Sequence, residues 1–208
     1  MIPFAVASSF FAVSILLAFS PGPDNIFVLT QSLLNGRFAG LAVTVGLASG
    51  ILIHTAAVSL GVAALLATSP VLFNALKLVG ATYLLYLAWG AFNASAIKET
   101  MASAPKLSTA KLFFRGFIMN VTNPKVTIFF LAFLPQFTNP NRGSVALQIV
   151  QLGGLFIVST LLIFGGIALL AGLLGPKLQN SQKFQRILNR TAAVIFGGLA
   201  LKLLSAQL

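Results

Sequence analysis

Residues 20–25 read Ser-Pro-Gly-Pro-Asp-Asn and interrupt a long apolar run, Phe4–Leu34. As one continuous helix this run would be roughly 46 Å long at 1.5 Å per residue, which exceeds the ~30 Å hydrocarbon core of a bilayer. Pro21 and Pro23 lack the backbone N–H that a continuous helix needs, and Gly22 between them tolerates unusual dihedral angles. The motif therefore predicts a broken helix, with Gly22 as the cap and Pro23 at the first position of the second half.

A second apolar run, Leu112–Leu134, contains the related motif Thr122-Asn123-Pro124-Lys125. An Asn at the N-cap followed by Pro at the first helical position is a helix-start signal. Asp24 and Lys125 then occupy the same place in their half-helices, one residue after a proline. Four residues are the expected hinge positions: Pro21, Gly22, Pro23 and Pro124.

The composition of the chain predicts a membrane protein. Of its 208 residues, 58% are hydrophobic and 7% are charged, whereas a soluble domain averages roughly 25% charged residues. The formal net charge is +11, but the cations stand between apolar runs rather than in a patch, so nucleic acid is not an expected partner. Because the sequence has no cysteine, one histidine and two acidic residues, we expect no disulfide, metal site or other cofactor.

Six apolar runs are long enough to be membrane spans. They are Phe4–Leu34, Ala39–Leu66, Val71–Phe92, Leu112–Leu134, Val145–Leu174 and Ile187–Leu204. We therefore predict an all-α integral membrane fold of six transmembrane helices, in which the first and fourth are broken at their proline motifs. The chain is expected to form a single polytopic domain, 1–208, made of three-helix halves at about 1–92 and 112–208 that are joined by a polar loop, 93–111.

The distribution of charge predicts the orientation of these helices. Most Lys and Arg residues fall in the loops after the first, third and fifth helices, and the opposite side carries only Arg142 and Lys202. Because cytoplasmic loops collect cations, both termini are expected outside the cytoplasm and loop 93–111 inside it. Three is an odd number of helices, so the halves are expected to have opposite orientations, which with their matched breaks is the pattern of inverted repeats. Broken helices at equivalent positions of inverted repeats mark the binding site of secondary transporters.

Asp24 is the only acidic residue in any of the apolar runs. An intramembrane carboxylate costs roughly 2.5–3.5 kcal/mol on insertion scales unless it is paired or hydrated. Asp24 is either a helix-start carboxylate stabilised by the helix dipole or a site for a substrate ammonium group or a proton. Lys125 lies where the positive end of a helix dipole disfavours a cation, so an anion is expected beside it. That anion is either Asp24 or the carboxylate of a bound ligand.

The remaining candidates for substrate binding or proton coupling are polar residues beside the breaks and on the second helix. They are Asn25, Asn120, Asn123 and His54. His54 follows Gly46 and Gly50 at spacings of four, so the three share a helix face. The two glycines predict a helix-packing seam, whereas His54 is either a neutral, hydrogen-bonded histidine or part of a proton relay.

Five features in this order resemble the signature of the lysine-exporter (LysE/RhtB) superfamily. They are Ser20-Pro21-Gly22-Pro23-Asp24-Asn25, a glycine-rich second helix ending on His54, Lys77-Leu-Val-Gly80-Ala-Thr-Tyr83-Leu, Gly116…Asn120…Asn123-Pro124-Lys125, and Pro135-Gln136-Phe137. The resemblance covers Phe4 to Phe137. It implies a protein of the bacterial inner membrane that exports amino acids such as threonine, homoserine, leucine or basic amino acids, driven by the membrane potential or by proton antiport.

The residues themselves favour a neutral amino acid, because a site with one carboxylate, Asp24, and a nearby Lys125 has no second negative charge for a basic side chain. The expected mechanism is alternating access, with Lys125 and two helix N-termini holding the substrate carboxylate and Asp24 holding its ammonium group. Protonation of Asp24, through His54, would release the substrate.

A non-transporting accessory or assembly subunit is the alternative, and a homo-oligomer is possible. An enzyme is not expected, since the sequence offers no nucleophile or metal constellation.

Overall fold

The computed structural model describes residues 2–20, 22–62, 70–93, 107–179 and 182–205, and every regular element within them is helical. The α-helices are α1 (Phe4–Phe19), α2 (Pro23–Asn35), α3 (Arg37–Ala57), α4 (Pro70–Asn93), α5 (Thr109–Val121), α6 (Pro124–Ile128), α7 (Val145–Gln179) and α8 (Gln182–Ser205). π-Helical turns continue α3 over Val58–Val62 and α6 over Phe129–Phe133, and 3₁₀ turns follow at Leu134–Phe137 and Pro140–Arg142.

Both predicted helix breaks are present. At the first break, between α1 and α2, the two axes differ by 62°, and at the second break, between α5 and α6 with its continuation to Phe137, they differ by 47°. Gly22 and Asn123 are the N-caps of α2 and α6, and Pro23 and Pro124 open these helices, as the sequence predicted. Pro21 lies outside the described residues.

One expectation about Gly22 is wrong. Its φ of −172° and ψ of 177° are extended backbone that any residue can adopt, so the break does not use the special conformational freedom of glycine. A Cβ at this position would instead lie 3.5 Å from the Nζ atom of Lys125. A side chain at position 22 would therefore pack directly against the ammonium group of Lys125.

Two continuous helices are long and apolar enough to cross a membrane: Arg37–Gly61 and Val145–Ala171. Each of the two bent pairs also qualifies as one broken span, so the described residues contain two to four candidate spans by length and composition. α4 and α8 have 24 residues each, which at 1.5 Å per residue gives roughly 36 Å. The end of the second predicted run and most of the predicted loop 93–111 lie outside the described residues.

The glycine seam predicted on the second helix is confirmed. α3 packs against α5, and a Cβ on Gly46 would collide with the backbone of Phe113, while one on Gly116 would collide with the backbone of Val43. Gly50 faces Asn120, whose Oδ1 would lie 2.7 Å from a Cβ at Gly50. Small residues let two helices approach closely, and here that approach brings the end of α5, just before the second break, against α3.

An aromatic cluster fixes the segment that follows the second break. The ring of Phe129 lies 5.8 Å from that of Phe10, 5.1 Å from that of Phe133 and 5.3 Å from that of Phe156, measured between centroids. These separations are typical of favourable aromatic pairs. The cluster ties α1, the continuation of α6, and α7 together, and so holds both breaks against α7.

Candidate substrate site at the helix breaks

Asn123 joins the two breaks directly. Its side-chain Oδ1 accepts a hydrogen bond of 2.9 Å from the backbone N–H of Lys125, which caps α6. Its Nδ2 donates a hydrogen bond of 2.8 Å to Oδ2 of Asp24 in α2. One amide side chain therefore starts the second half-helix and holds the carboxylate of the first, although 99 residues separate the two partners.

Lys125 reaches across to the end of α1. Its Nζ donates to the backbone oxygens of Leu17 and Ser20, each at 3.2 Å. The helical partner of the Leu17 carbonyl would be residue 21, which is a proline without an N–H, so Lys125 supplies the missing donor. The C-terminal end of a helix also carries the negative end of its dipole. The immediate partners of the cation are thus backbone carbonyls, and neither hydrogen bond of its ammonium group goes to Asp24.

Asn25 closes the same helix end from the other side. Its Nδ2 donates a hydrogen bond of 2.8 Å to the backbone oxygen of Ala18. Together with Lys125, it satisfies carbonyls that the interruption of α1 leaves without helical partners. The first break is therefore stabilised from within by Asn25 and from the second half of the chain by Lys125.

The charged residues line a small internal cavity of about 10 Å³. Its lining comes from both breaks and from α7: Leu17, Ala18, Asp24, Asn120, Lys125, Val126, Phe156, Thr160 and Phe164. Asp24 is 3% exposed and Lys125 is 7% exposed. This volume is roughly that needed for one water molecule, so an amino acid does not fit between these side chains as they stand.

Among the residues that the structure describes, four buried side-chain oxygens have no hydrogen-bond partner, and all four flank the breaks. They are Ser20 Oγ, Asp24 Oδ1, Asn25 Oδ1 and Asn120 Oδ1. Buried polar atoms are nearly always paired in folded proteins, so such a group calls for an explanation. Carboxylate and amide oxygens are acceptors only, and an ammonium group offers three N–H donors. The junction therefore offers several unpaired acceptors, which are the groups that a primary ammonium ligand needs.

His54 contacts the second break rather than the carboxylate. Its Nε2 lies 3.1 Å from the backbone oxygen of Asn120, and its ring centroid lies 5.6 Å from that of Phe130. A carbonyl oxygen can only accept, so Nε2 carries a proton in this contact. His54 is thus hydrogen-bonded, and both the neutral histidine and the proton relay stay predictions.

The structure brings together every candidate residue that it describes, and it adds some that the sequence did not single out. Ser20 was part of the quoted motif but not a candidate, and Thr160 is a fully buried threonine on α7 that lines the cavity. A polar residue buried in a long apolar run was the available signal for Thr160. No sequence signal indicated that the backbone carbonyls of Leu17 and Ser20 would bind a lysine.

Residues 15–207 match the family described as LysE type translocator. The chain belongs to this family. Its relatives include the uncharacterized membrane protein YrhP of Bacillus subtilis (strain 168), which is 28% identical over 93% of this chain and 96% of the relative. The homoserine/homoserine lactone efflux protein of Salmonella typhi is 31% identical over 96% of each chain. The leucine efflux protein of Salmonella choleraesuis (strain SC-B67) is 31% identical over 93% of this chain and 92% of the relative.

No solved structure matches this LysE-type chain. The paired proline motifs that carried the resemblance are the residues that begin α2 and α6, so the family signature coincides with the two breaks. The family match and the apolar helices make the chain a membrane protein.

Proposed function

We propose that this LysE-type protein is a secondary transporter that exports neutral amino acids from the cytoplasm. The observation that carries the proposal is the cluster of unpaired buried oxygens beside Asp24 at the junction of the two breaks. Family membership supports it, and so do two relatives whose names specify efflux of homoserine or its lactone and of leucine. Those named cargoes are small and carry no net charge on the side chain.

The two charges at the junction suit the two ends of a zwitterion. Asp24 Oδ1 and the amide oxygens near it would accept the N–H groups of the substrate ammonium. Lys125 uses two of its three N–H groups on backbone carbonyls, which leaves one for the substrate carboxylate. The N-termini of α2 and α6 add the positive ends of two helix dipoles. Since one carboxylate is matched by one ammonium, a basic side chain would have no partner.

We place this site in six spans arranged as two inverted three-helix repeats, with both termini outside the cytoplasm of a bacterial inner membrane. The packing supports this arrangement. In such a repeat α3 corresponds to α7, and the broken helix α5–α6 corresponds to the broken helix α1–α2. The contact of α3 with α5 then has its counterpart in the contact of α7 with α1 and α2, and both contacts are extensive. The pairs α3–α7 and α4–α8 would then lie on the pseudo-twofold axis, and each of these pairs is also in contact.

Export would proceed by alternating access around the closed cavity, coupled to proton entry. An amino acid does not fit the cavity of about 10 Å³, so the halves must separate on one side to bind it and on the other to release it. A proton on Asp24 would replace the substrate ammonium as the partner of the buried carboxylate. His54, hydrogen-bonded to the backbone at Asn120, is our candidate for delivering that proton.

Efflux from proteoliposomes tests the proposal. Vesicles containing the purified protein are loaded with labelled leucine, homoserine, threonine or lysine, and efflux is recorded with and without a proton gradient. We expect efflux of the neutral amino acids, dependence on the gradient, and little efflux of lysine. Asp24→Asn should abolish efflux at normal folded yield, and His54→Gln should weaken its dependence on the gradient.

Glu99, the other carboxylate of the chain, provides the matched control because it lies in the predicted loop. Glu99→Gln should export at the wild-type rate. If none of the amino acids leaves the vesicles and none raises the melting temperature of the protein, the accessory-subunit alternative is favoured instead. Normal efflux by Asp24→Asn would exclude the carboxylate from the mechanism.

A further inference from the structure

A second cavity lies on the outer face of the helix pair α4–α8, away from the breaks. It is an open groove of about 700 Å³ between the C-terminal part of α4 and the middle of α8. Its walls are apolar and include Leu85, Trp89 and Phe92 from α4 and Val194 from α8. None of its lining residues belongs to the cavity at the breaks, so the groove is a separate feature of the fold.

The side chains of the groove are strongly exposed. Trp89 is 72% exposed, Phe92 is 63% exposed and Val194 is 76% exposed. In a membrane protein such a surface faces lipid, and tryptophan prefers the level of the lipid headgroups. Trp89 lies one turn before the end of α4, which agrees with that level.

One cation stands among these apolar residues. Arg190 lines the groove, and Arg186, one helical turn earlier on the same face of α8, is exposed. The lining residues, all of which the structure describes, include no acid. A guanidinium group binds phosphate through two parallel hydrogen bonds, and basic pockets between membrane helices are suited to anionic lipid headgroups.

We propose that this groove binds an anionic phospholipid. The headgroup phosphate contacts Arg190, with Arg186 adding to the local positive charge, and an acyl chain lies along Leu85, Trp89 and Val194. A second copy of the chain is a poorer occupant. A twofold interface through this groove would use the same patch on both subunits and would bring cations from both copies to one interface. The proposal rests on the membrane placement of the chain and does not depend on transport.

Trp89 is the only tryptophan in the sequence, so its fluorescence reports on this groove alone. The full-length protein is placed in phosphatidylcholine bilayers that contain increasing fractions of brominated phosphatidylglycerol or, in parallel, brominated phosphatidylcholine. Bromine quenches tryptophan on contact. We expect half-maximal quenching at a mole fraction about five-fold lower for the anionic lipid, the preference that one surface cation typically provides.

Variants of the arginines make the test specific. In the double variant Arg186→Gln/Arg190→Gln, the two lipids should quench Trp89 fluorescence equally. In Arg190→Lys, which keeps the charge, quenching should still show a preference for the anionic lipid. Arg142→Gln is the matched control, since Arg142 precedes α7 and lies at the opposite end of that long helix from the start of α8. Equal quenching of the wild type by both lipids overturns the proposal, as does a preference that survives in the double variant. If neither lipid quenches Trp89 fluorescence, a second protein copy covers the groove, and this result also overturns the proposal.

Discussion

The two helix breaks share one local design and carry opposite charges. Each begins its second half with a proline at the first helical position and a charged residue at the next. At the first break the charge is Asp24, which the positive end of the α2 dipole stabilises. At the second break it is Lys125, which the dipole of its own helix disfavours, and which therefore donates to the end of α1.

The two charged groups also differ in how far the protein itself supplies their hydrogen-bond partners. The ammonium group of Lys125 has two protein partners that would otherwise be unpaired carbonyls. Asp24 has one protein partner, Asn123, and keeps a buried oxygen without any. We infer that Lys125 contributes both to the fold and to the site, whereas the free oxygen of Asp24 is available to a substrate.

The largest effect is expected from Lys125→Met. This change leaves the Leu17 and Ser20 carbonyls unpaired and Asp24 without a neighbouring cation. Removing one member of a buried charged set costs about 3 kcal/mol in free energy of unfolding. Unfolding of the purified variant in detergent measures the loss, with Lys111→Gln on an exposed lysine as the control. A stability equal to that of Lys111→Gln would contradict the structural role of Lys125.

A smaller effect is expected from Asn123→Ala, which tests the link between the breaks. It removes a helix cap, at about 1 kcal/mol, and a hydrogen bond to a carboxylate, at about 1.5 kcal/mol. Asn123→Ser keeps a capping hydroxyl but is too short to reach Asp24, so it should recover about 1 kcal/mol of the loss in free energy of unfolding. If the serine and alanine variants were equally stable, the capping role of Asn123 would be wrong.

Local signals in the sequence were enough to predict the breaks. Proline at a first helical position and asparagine as its cap are set by backbone chemistry within three residues, so they could be predicted without a partner. The extents of other elements were less accessible. The apolar run ends at Leu174, but α7 continues to Gln179. The apolar pattern marks the buried or lipid-facing part of the helix and not its polar end. The π-helical turn after Ile128 follows a hydrogen-bond register that the apolar pattern does not encode.

The partners of the site residues depended on tertiary structure. The sequence indicated that Lys125 needs a negative partner, and it suggested either Asp24 or a ligand. It did not suggest the carbonyls of α1, because only the packed structure places that helix end beside Nζ. The contribution of α7 through Thr160 had a similar origin. Its polar side chain stands out in a long apolar run, but only the packed structure places it at the cavity beside the breaks.

The most direct test of the central claim is whether Asp24 recognises the substrate ammonium group. Binding of leucine and of its hydroxy-acid analogue, in which a hydroxyl replaces the ammonium group, is measured by calorimetry on the wild type, Asp24→Asn and Glu99→Gln. We predict that the wild type and Glu99→Gln bind leucine about ten- to a hundred-fold more tightly than the analogue, the range for a hydrogen bond to a charged group. Asp24→Asn should bind the two about equally. A full preference for leucine in Asp24→Asn would contradict the claim.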